Sequence, residues 1–181
     1  MKARIAEPEF SRPYAIEKIP AHGVTEILEP KEDERKKLAE RFGLLELPML
    51  RAELNIKSAR AESVFEVVGK LVADVVQQCV VTLEPLPVHI EHDISVIYAP
   101  PEELEIEGTG PADPDEEEME PIIDGTIDLG ELVAQNLGVA LDPYPRKPGL
   151  APVEAEYGDK EAGRSPLAEL ASWSKKPKDS R

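Results

Sequence analysis

PMLRAELNIKSARAESVFEVVGKLVADVVQQCVVTLEPLPVHIEHDISVIY, residues 48–98, decides the fold, because along it the apolar period changes from helical to two. Leu50, Ala52, Leu54 and Ile56 alternate with Met49, Arg51, Glu53, Asn55 and Lys57, the pattern of a half-buried strand. SARAES at 58–63 reads as a turn, and Val64 to Val76 as a long β-branched strand. Gln77 to Leu83 reads as a further strand, Glu84-Pro85-Leu86-Pro87 as a break, and Val88 to Tyr98 alternates again. Short links between successive strands predict an antiparallel meander and not βαβ units. Gly69, inside the long run, predicts a bulge or sharp bend of the kind a barrel-like sheet needs.

On the N-terminal side, FSRPYAIEKI at 10–19 predicts an edge strand, since Pro13 cannot donate to a ladder, and PAHG at 20–23 a turn. A helix is expected over 30–42. Pro30 suits a first helical turn, Glu32, Asp33 and Glu34 favour the positive end of the dipole, and Lys36, Lys37 and Arg41 follow. Gly43 suits the left-handed cap, with Leu38, Phe42 and Leu45 as the buried stripe. On the C-terminal side, residues 100–121 have the composition of a disordered acidic loop. Ile122 to Gly125 reads as a short strand into a turn. Asp128 then caps a helix whose apolar positions are Leu129, Leu132, Val133, Leu137, Ala140 and Leu141. Asp142-Pro143 ends it, and residues 142–149 are stiff and extended.

The expected fold is therefore α+β: a curved antiparallel β-sheet or partly open β-barrel with two packed helices, an acidic disordered loop and a disordered C-terminal tail. One domain is expected over residues 10–150, followed by a tail at 151–181.

Charge narrows the partners. Residues 71–145 contain no Lys or Arg but eighteen Asp and Glu, and this stretch carries nearly all of the net charge of −16. An anionic surface repels phosphate and attracts cations, which favours basic proteins over nucleic acid or anionic lipid. The single cysteine excludes an internal disulfide. No stretch approaches eighteen apolar residues and no signal-peptide pattern opens the chain, so a cytoplasmic protein without a membrane span is expected.

Catalytic and metal patterns are sparse. His89 and His92 point to opposite faces of a strand and cannot chelate together. Cys79 reads as a small buried hydrophobe, because a reactive thiolate wants a cation nearby and its sequence neighbourhood is anionic. There is no G-x-S-x-G, Walker or G-x-G-x-x-G motif. No enzyme activity and no cofactor are expected. Asp113, Asp115, Glu116, Glu117, Glu118 and Glu120 form either a solubilising insert or an electrostatic dock for a basic protein segment. Arg146 and Lys147, in a proline frame, form either a charged exit from the last helix or a contact with RNA phosphate or a partner.

The FSRP opening, VVQQCVVTLEPL at 75–86, the acidic insert and DGTIDLGELVAQNLGVALDPYPRKPG at 124–149 stand in the order seen in a known family. In this the chain resembles the YceD family, the large ribosomal RNA subunit accumulation proteins, and most closely its alphaproteobacterial branch. The motif positions are Cys79, Asp128, Leu129, Glu131, Asp142, Pro143, Tyr144, Pro145, Arg146 and Lys147. The resemblance implies a non-enzymatic factor that supports 23S rRNA accumulation and large-subunit assembly. The partner it implies is a basic large-subunit ribosomal protein or a pre-ribosomal particle. Direct rRNA contact through Arg35, Lys36, Lys37, Arg41, Arg146 and Lys147 is the alternative. Many relatives carry Cys-x-x-Cys where this chain has Cys79-Val80-Val81-Thr82, so no zinc or redox role carries over to Cys79.

Overall fold

A computed structural model describes residues 8–59, 63–102, 104 and 119–149. The chain divides into two units, Met1–Lys147 and Pro148–Arg181, and every element named below lies in the first. In order these are β1 (Pro13–Ala15), a 3-10 turn (Ile16–Lys18), β2 (Val24–Leu28), α1 (Glu32–Phe42), β3 (Glu46–Ser58) and β4 (Phe65–Gln78). Then come β5 (Pro85–Ala99), β6 (Met119–Pro121), β7 (Thr126–Asp128) and α2 (Leu129–Ala140). The fold is α+β. An open five-stranded sheet has the order β2-β3-β4-β5-β6, and β1 pairs with β7 apart from it.

The three long central strands are antiparallel and the alternation in their sequences is the alternation of their faces. Leu50, Ala52, Leu54 and Ile56 of β3 lie beside Ala73, Leu71, Gly69 and Val67 of β4, which in turn face Ile90, His92, Ile94 and Val96 of β5. Both helices cover this face. Leu38 and Ala39 of α1, with Leu129, Leu132, Val133, Ala134 and Leu137 of α2, join the sheet residues in one core. Leu47 is buried too, although its parity opposes that of Leu50. The register shift between Glu46 and Met49 accounts for this, since an extra residue switches the face.

Several expectations need correction. The strand expected over 10–19 is only Pro13–Ala15, and it pairs with β7 instead of edging the sheet. Ile16 N–H goes to the Gly125 carbonyl (3.1 Å) and the chain then turns. The edge belongs to β2, which sequence reading missed because Glu26 sits on its inward side. α1 begins at Glu32, with Pro30 buried just ahead of it, and Leu45 is 46% exposed instead of part of the buried stripe. Gly43 does adopt the left-handed cap, at φ 64°.

The expected strand over 77–83 is not separate. β4 runs unbroken to Gln78, and Cys79–Leu83 is a turn closed by Cys79 N–H to Glu84 O (2.9 Å) and Leu83 N–H to Cys79 O (2.8 Å). Pro85 and Pro87 do not break the sheet but begin β5. β6 covers only Ile97–Ala99, so at its proline end β5 is an edge, where a missing donor is tolerated. Gly69 makes no bulge: it stays in register with Leu54 and Ile94.

The meander also gives way at its end. Met119–Pro121 is no loop but a strand, and it lies parallel to β5. Of the short strand and turn expected over Ile122–Gly125, the turn stands at Asp124-Gly125, with an isolated bridge from Ile123 to Thr126, while the named strand follows it at Thr126–Asp128. Asp124 and Gly125 both take positive φ (50° and 66°), forming the two-residue turn that a hairpin favours, with Thr126 N–H on Ile123 O (2.9 Å).

Candidate functional site

Two junctions bring the distant sequence blocks together. At the first, Asp128 caps α2 by accepting from Gly130 N–H (3.0 Å) and Glu131 N–H (3.2 Å). The same carboxylate accepts from Ser11 Oγ (2.5 Å) and Arg12 N–H (2.7 Å), so one side chain ties the opening segment to the last helix. Arg12 lies over the Phe10 ring, 4.6 Å from its centre, and makes a two-pronged pair with Glu34 at the start of α1 (2.8 and 2.8 Å). That guanidinium lowers the pKa of Glu34. Arg41, at the end of α1, grips Glu131 with both prongs (2.9 and 2.8 Å) and also meets Glu9 (2.9 Å). Leu129, between these contacts, is buried in the core.

The cations of the basic helix are engaged to different degrees. Arg41 is held by two carboxylates, Lys36 pairs with Glu32 (2.7 Å), and Arg35 donates to the Pro30 carbonyl (2.9 Å). The expected row of four phosphate-seeking cations is therefore largely engaged within the fold. The physical reason is that the acidic residues that precede and face these cations are within reach of them.

At the second junction the exit from α2 docks on the Cys79 turn. Gln77, a buried polar residue within the apolar β4 run, donates its Nε2 to the Asp142 carbonyl (2.9 Å). Val80 N–H reaches the Pro145 carbonyl (2.9 Å), and Lys147 Nζ pairs with Glu84. Asp142 Oδ1 accepts from Tyr144 N–H (2.8 Å), fixing a turn from which Tyr144 projects, 71% exposed. Pro143 is exposed, Pro145 is buried and Arg146 is exposed. Gln77 is the residue that sequence reading overlooked; its signal was a polar amide at a core-facing position.

Cys79 is buried, as expected, but its surroundings differ from the expectation. The folded chain brings backbone N–H donors, that of Lys147 among them, to the sulfur, which the sequence neighbourhood alone did not suggest. The Thr82 hydroxyl and N–H, the latter 3.5 Å from Sγ, pull the thiol down to about 6, with smaller help from the N–H groups of Lys147 and Val81. Burial pushes the other way and is outweighed.

The sheet face opposite the helices carries cross-strand ion pairs: Lys57 with Glu66 (2.8 Å), Lys70 with Glu91 (2.5 Å), and Arg51 with Glu29 just beyond β2. His89 lies on it between Asp74 (2.7 Å) and Glu91 (3.7 Å), while His92 faces the core side. Asp74 raises the His89 pKa above its ordinary 6.5, with Glu91 adding to the effect. A raised folded value means that this contribution to stability is complete below the unfolded pKa and is lost as pH rises through the folded one. In an NMR titration His89 accordingly shows a midpoint above 6.5, and Asp74→Asn lowers it. A midpoint unmoved by that substitution contradicts the assignment.

Of the acidic-loop residues, Asp113, Asp115, Glu116, Glu117 and Glu118 lie outside the described residues. Glu120 lies on β6, exposed and in register with Tyr98. Among the described residues no group of three or more His, Cys, Asp or Glu is arranged to hold a metal ion, and no helix is long and apolar enough to cross a membrane.

Compared with known proteins, residues 67–174, more than half of the chain, match the family model described as large ribosomal RNA subunit accumulation protein YceD. No curated protein and no solved structure matches the chain.

Proposed function

The chain belongs to the YceD family of large ribosomal RNA subunit accumulation proteins, and from that premise we propose that it is a non-enzymatic factor of large-subunit assembly, acting in the cytoplasm by binding a basic ribosomal protein or the particle that contains it. The observation that carries this reading is the charge balance of −16 with nearly all of its excess in the cation-free stretch 71–145. Arg41, Lys70 and Lys147 from outside the stretch pair with its Glu131, Glu91 and Glu84, so the excess rests on its remaining acidic residues. A surface of one sign concentrates partners of the other, and ribosomal proteins that bind rRNA must present cations. The acidic residues 113–120 supply the densest part of that field and act as the dock.

The test uses the full chain immobilised at moderate salt, offered acid-extracted large-subunit proteins in one arm and a 23S rRNA fragment in the other. Retention of basic large-subunit proteins, weakened several-fold by replacing Asp115, Glu116, Glu117 and Glu118 with the corresponding amides, supports the reading. Submicromolar binding of the bare fragment, with no protein retained, removes it. The RNA alternative rests on Lys37 and Arg146, which are exposed and have no hydrogen bond or salt bridge among the described residues. If it operates, Arg146→Ala with Lys147→Ala weakens fragment binding and flattens its dependence on salt.

A further inference from the structure

The face of the sheet turned away from both helices is left without a covering layer by the described elements. β3, β4 and β5 are 13, 14 and 15 residues long, whereas α1 and α2 have 11 and 12. At about 3.3 Å per strand residue and 1.5 Å per helical residue, the strands extend well over twice as far as the helices. Along the middle of this face Val68, Val72 and Val76 stand half-buried on β4, and Ile27 of β2 is 52% exposed. A hollow of about 480 Å³, lined by Thr25, Glu53, Asn55, Val68, Gly69 and Lys70, lies in the sheet surface.

Charge specifies what suits this face. Its three cations, Arg51, Lys57 and Lys70, are already matched by Glu29, Glu66 and Glu91. Asp74 is matched by His89. Glu53 and Asp93 on this face make no hydrogen bond or salt bridge among the described residues, although Asp93 lies near enough to Lys70 to help raise its pKa. They occupy one cross-strand row, on either side of Lys70 in register. On this face of β4 Val68, Val72 and Val76 thus alternate with Lys70 and Asp74, and the flanking strands add surplus negative charge, a pattern complementary to aliphatic side chains interspersed with lysine or arginine.

We infer that the open sheet face seats a basic segment of a protein, whose cations meet Glu53 and Asp93 while its aliphatic portions cover Val68 and Val72. Long basic side chains suit this role, since their methylene stems lie on apolar surface while their charged ends reach outward. Nucleic acid does not, because its phosphates meet the same surplus carboxylates. The inference rests on the basic-protein reading above and places part of the contact on the sheet, apart from the acidic residues 113–120.

A photo-crosslinking residue at position 72 of the full chain, with position 139 on the exposed side of α2 as control, tests this against acid-extracted large-subunit proteins. Crosslinks from 72 but not 139 to lysine- or arginine-rich peptides are expected. Glu53→Lys with Asp93→Lys should reduce their yield and the retained protein at least about tenfold. Because the double reversal also disturbs the Lys70 row, Glu53→Gln with Asp93→Asn is run beside it, each checked for folding by circular dichroism, with an intermediate loss expected. Undiminished binding by the folded amide variant, or crosslinks at 139 alone, overturns the sheet site while leaving the basic-protein reading intact. Failure of the unsubstituted chain to retain any basic protein overturns both, whereas crosslinking from 72 to an rRNA fragment or to a second copy of the chain, with none to a basic protein, overturns the sheet site alone.

Discussion

Gly69→Ala costs the fold about 3 kcal/mol, the upper end of what inserting a group into a packed interior usually does. A β-carbon at this position would lie 2.0 Å from the Glu53 carbonyl oxygen and 2.9 Å from Leu54 Cα. The obstruction is main chain, not the end of a flexible side chain, so relief requires β3 to move away from β4 along their longest shared ladder. Typical domains have only about 5–15 kcal/mol in hand, and a valine here, larger and branched, should leave little soluble protein. Urea unfolding followed by circular dichroism measures the alanine variant. An unfolding free energy within about 0.5 kcal/mol of the parent's shows that the strands are not pressed together at this point.

Asp128→Ala is expected to cost a similar amount, about 3 kcal/mol, through a different route. Loss of a helix cap costs about 1 kcal/mol, and here the same carboxylate also holds Ser11 Oγ and Arg12 N–H, which are left without their acceptor in a half-buried setting at about 1–3 kcal/mol more. Asp128→Asn retains an acceptor oxygen and should lose about 1 kcal/mol. Equal losses for Ala and Asn mean that the negative charge, not the hydrogen bonds, dominates the junction. Hydrogen exchange separates the consequences further: Asp128→Ala should deprotect β1 and the first turn of α2 before it deprotects β4.

These two residues mark how far the sequence could be read. Asp128 was legible as a cap because capping is local: an acidic residue before an apolar helical stripe defines it within four positions. That it also binds Ser11 and Arg12, more than a hundred residues earlier, was not, since nothing in one sequence pairs distant positions. Gly69 was legible as a special position but not for the right reason. A bulge and a close approach both call for glycine, and only the register with Leu54 and Ile94 tells them apart. The long strands and both helices followed from periodicity, whereas β2, β6 and β7, at three to five residues, are too short to establish a period. Gln77 and the docking of residues 142–147 on the Cys79 turn depend on packing between blocks some sixty residues apart, as Gln77 Nε2 on Asp142 O illustrates. The electrostatic argument fared unevenly for the same reason. Net charge is a property of composition and survives folding, but which cations remain available is decided by neighbours, as Arg41 between Glu9 and Glu131 makes plain.

The parallel pairing of β6 with β5 has an evolutionary consequence. Ile97 faces Met119 and Ala99 faces Pro121, so the acidic segment departs from and comes back to one end of the same strand. The fold fixes its two anchor points and, beyond the minimum that a parallel connection requires, asks little of its length. Doubling such a connection costs only about 0.6 kcal/mol in closure entropy. Carboxylates can therefore be added to or removed from this stretch over generations almost without penalty to the sheet, and the strength of the negative field becomes a trait that selection can adjust apart from the stability of the molecule carrying it.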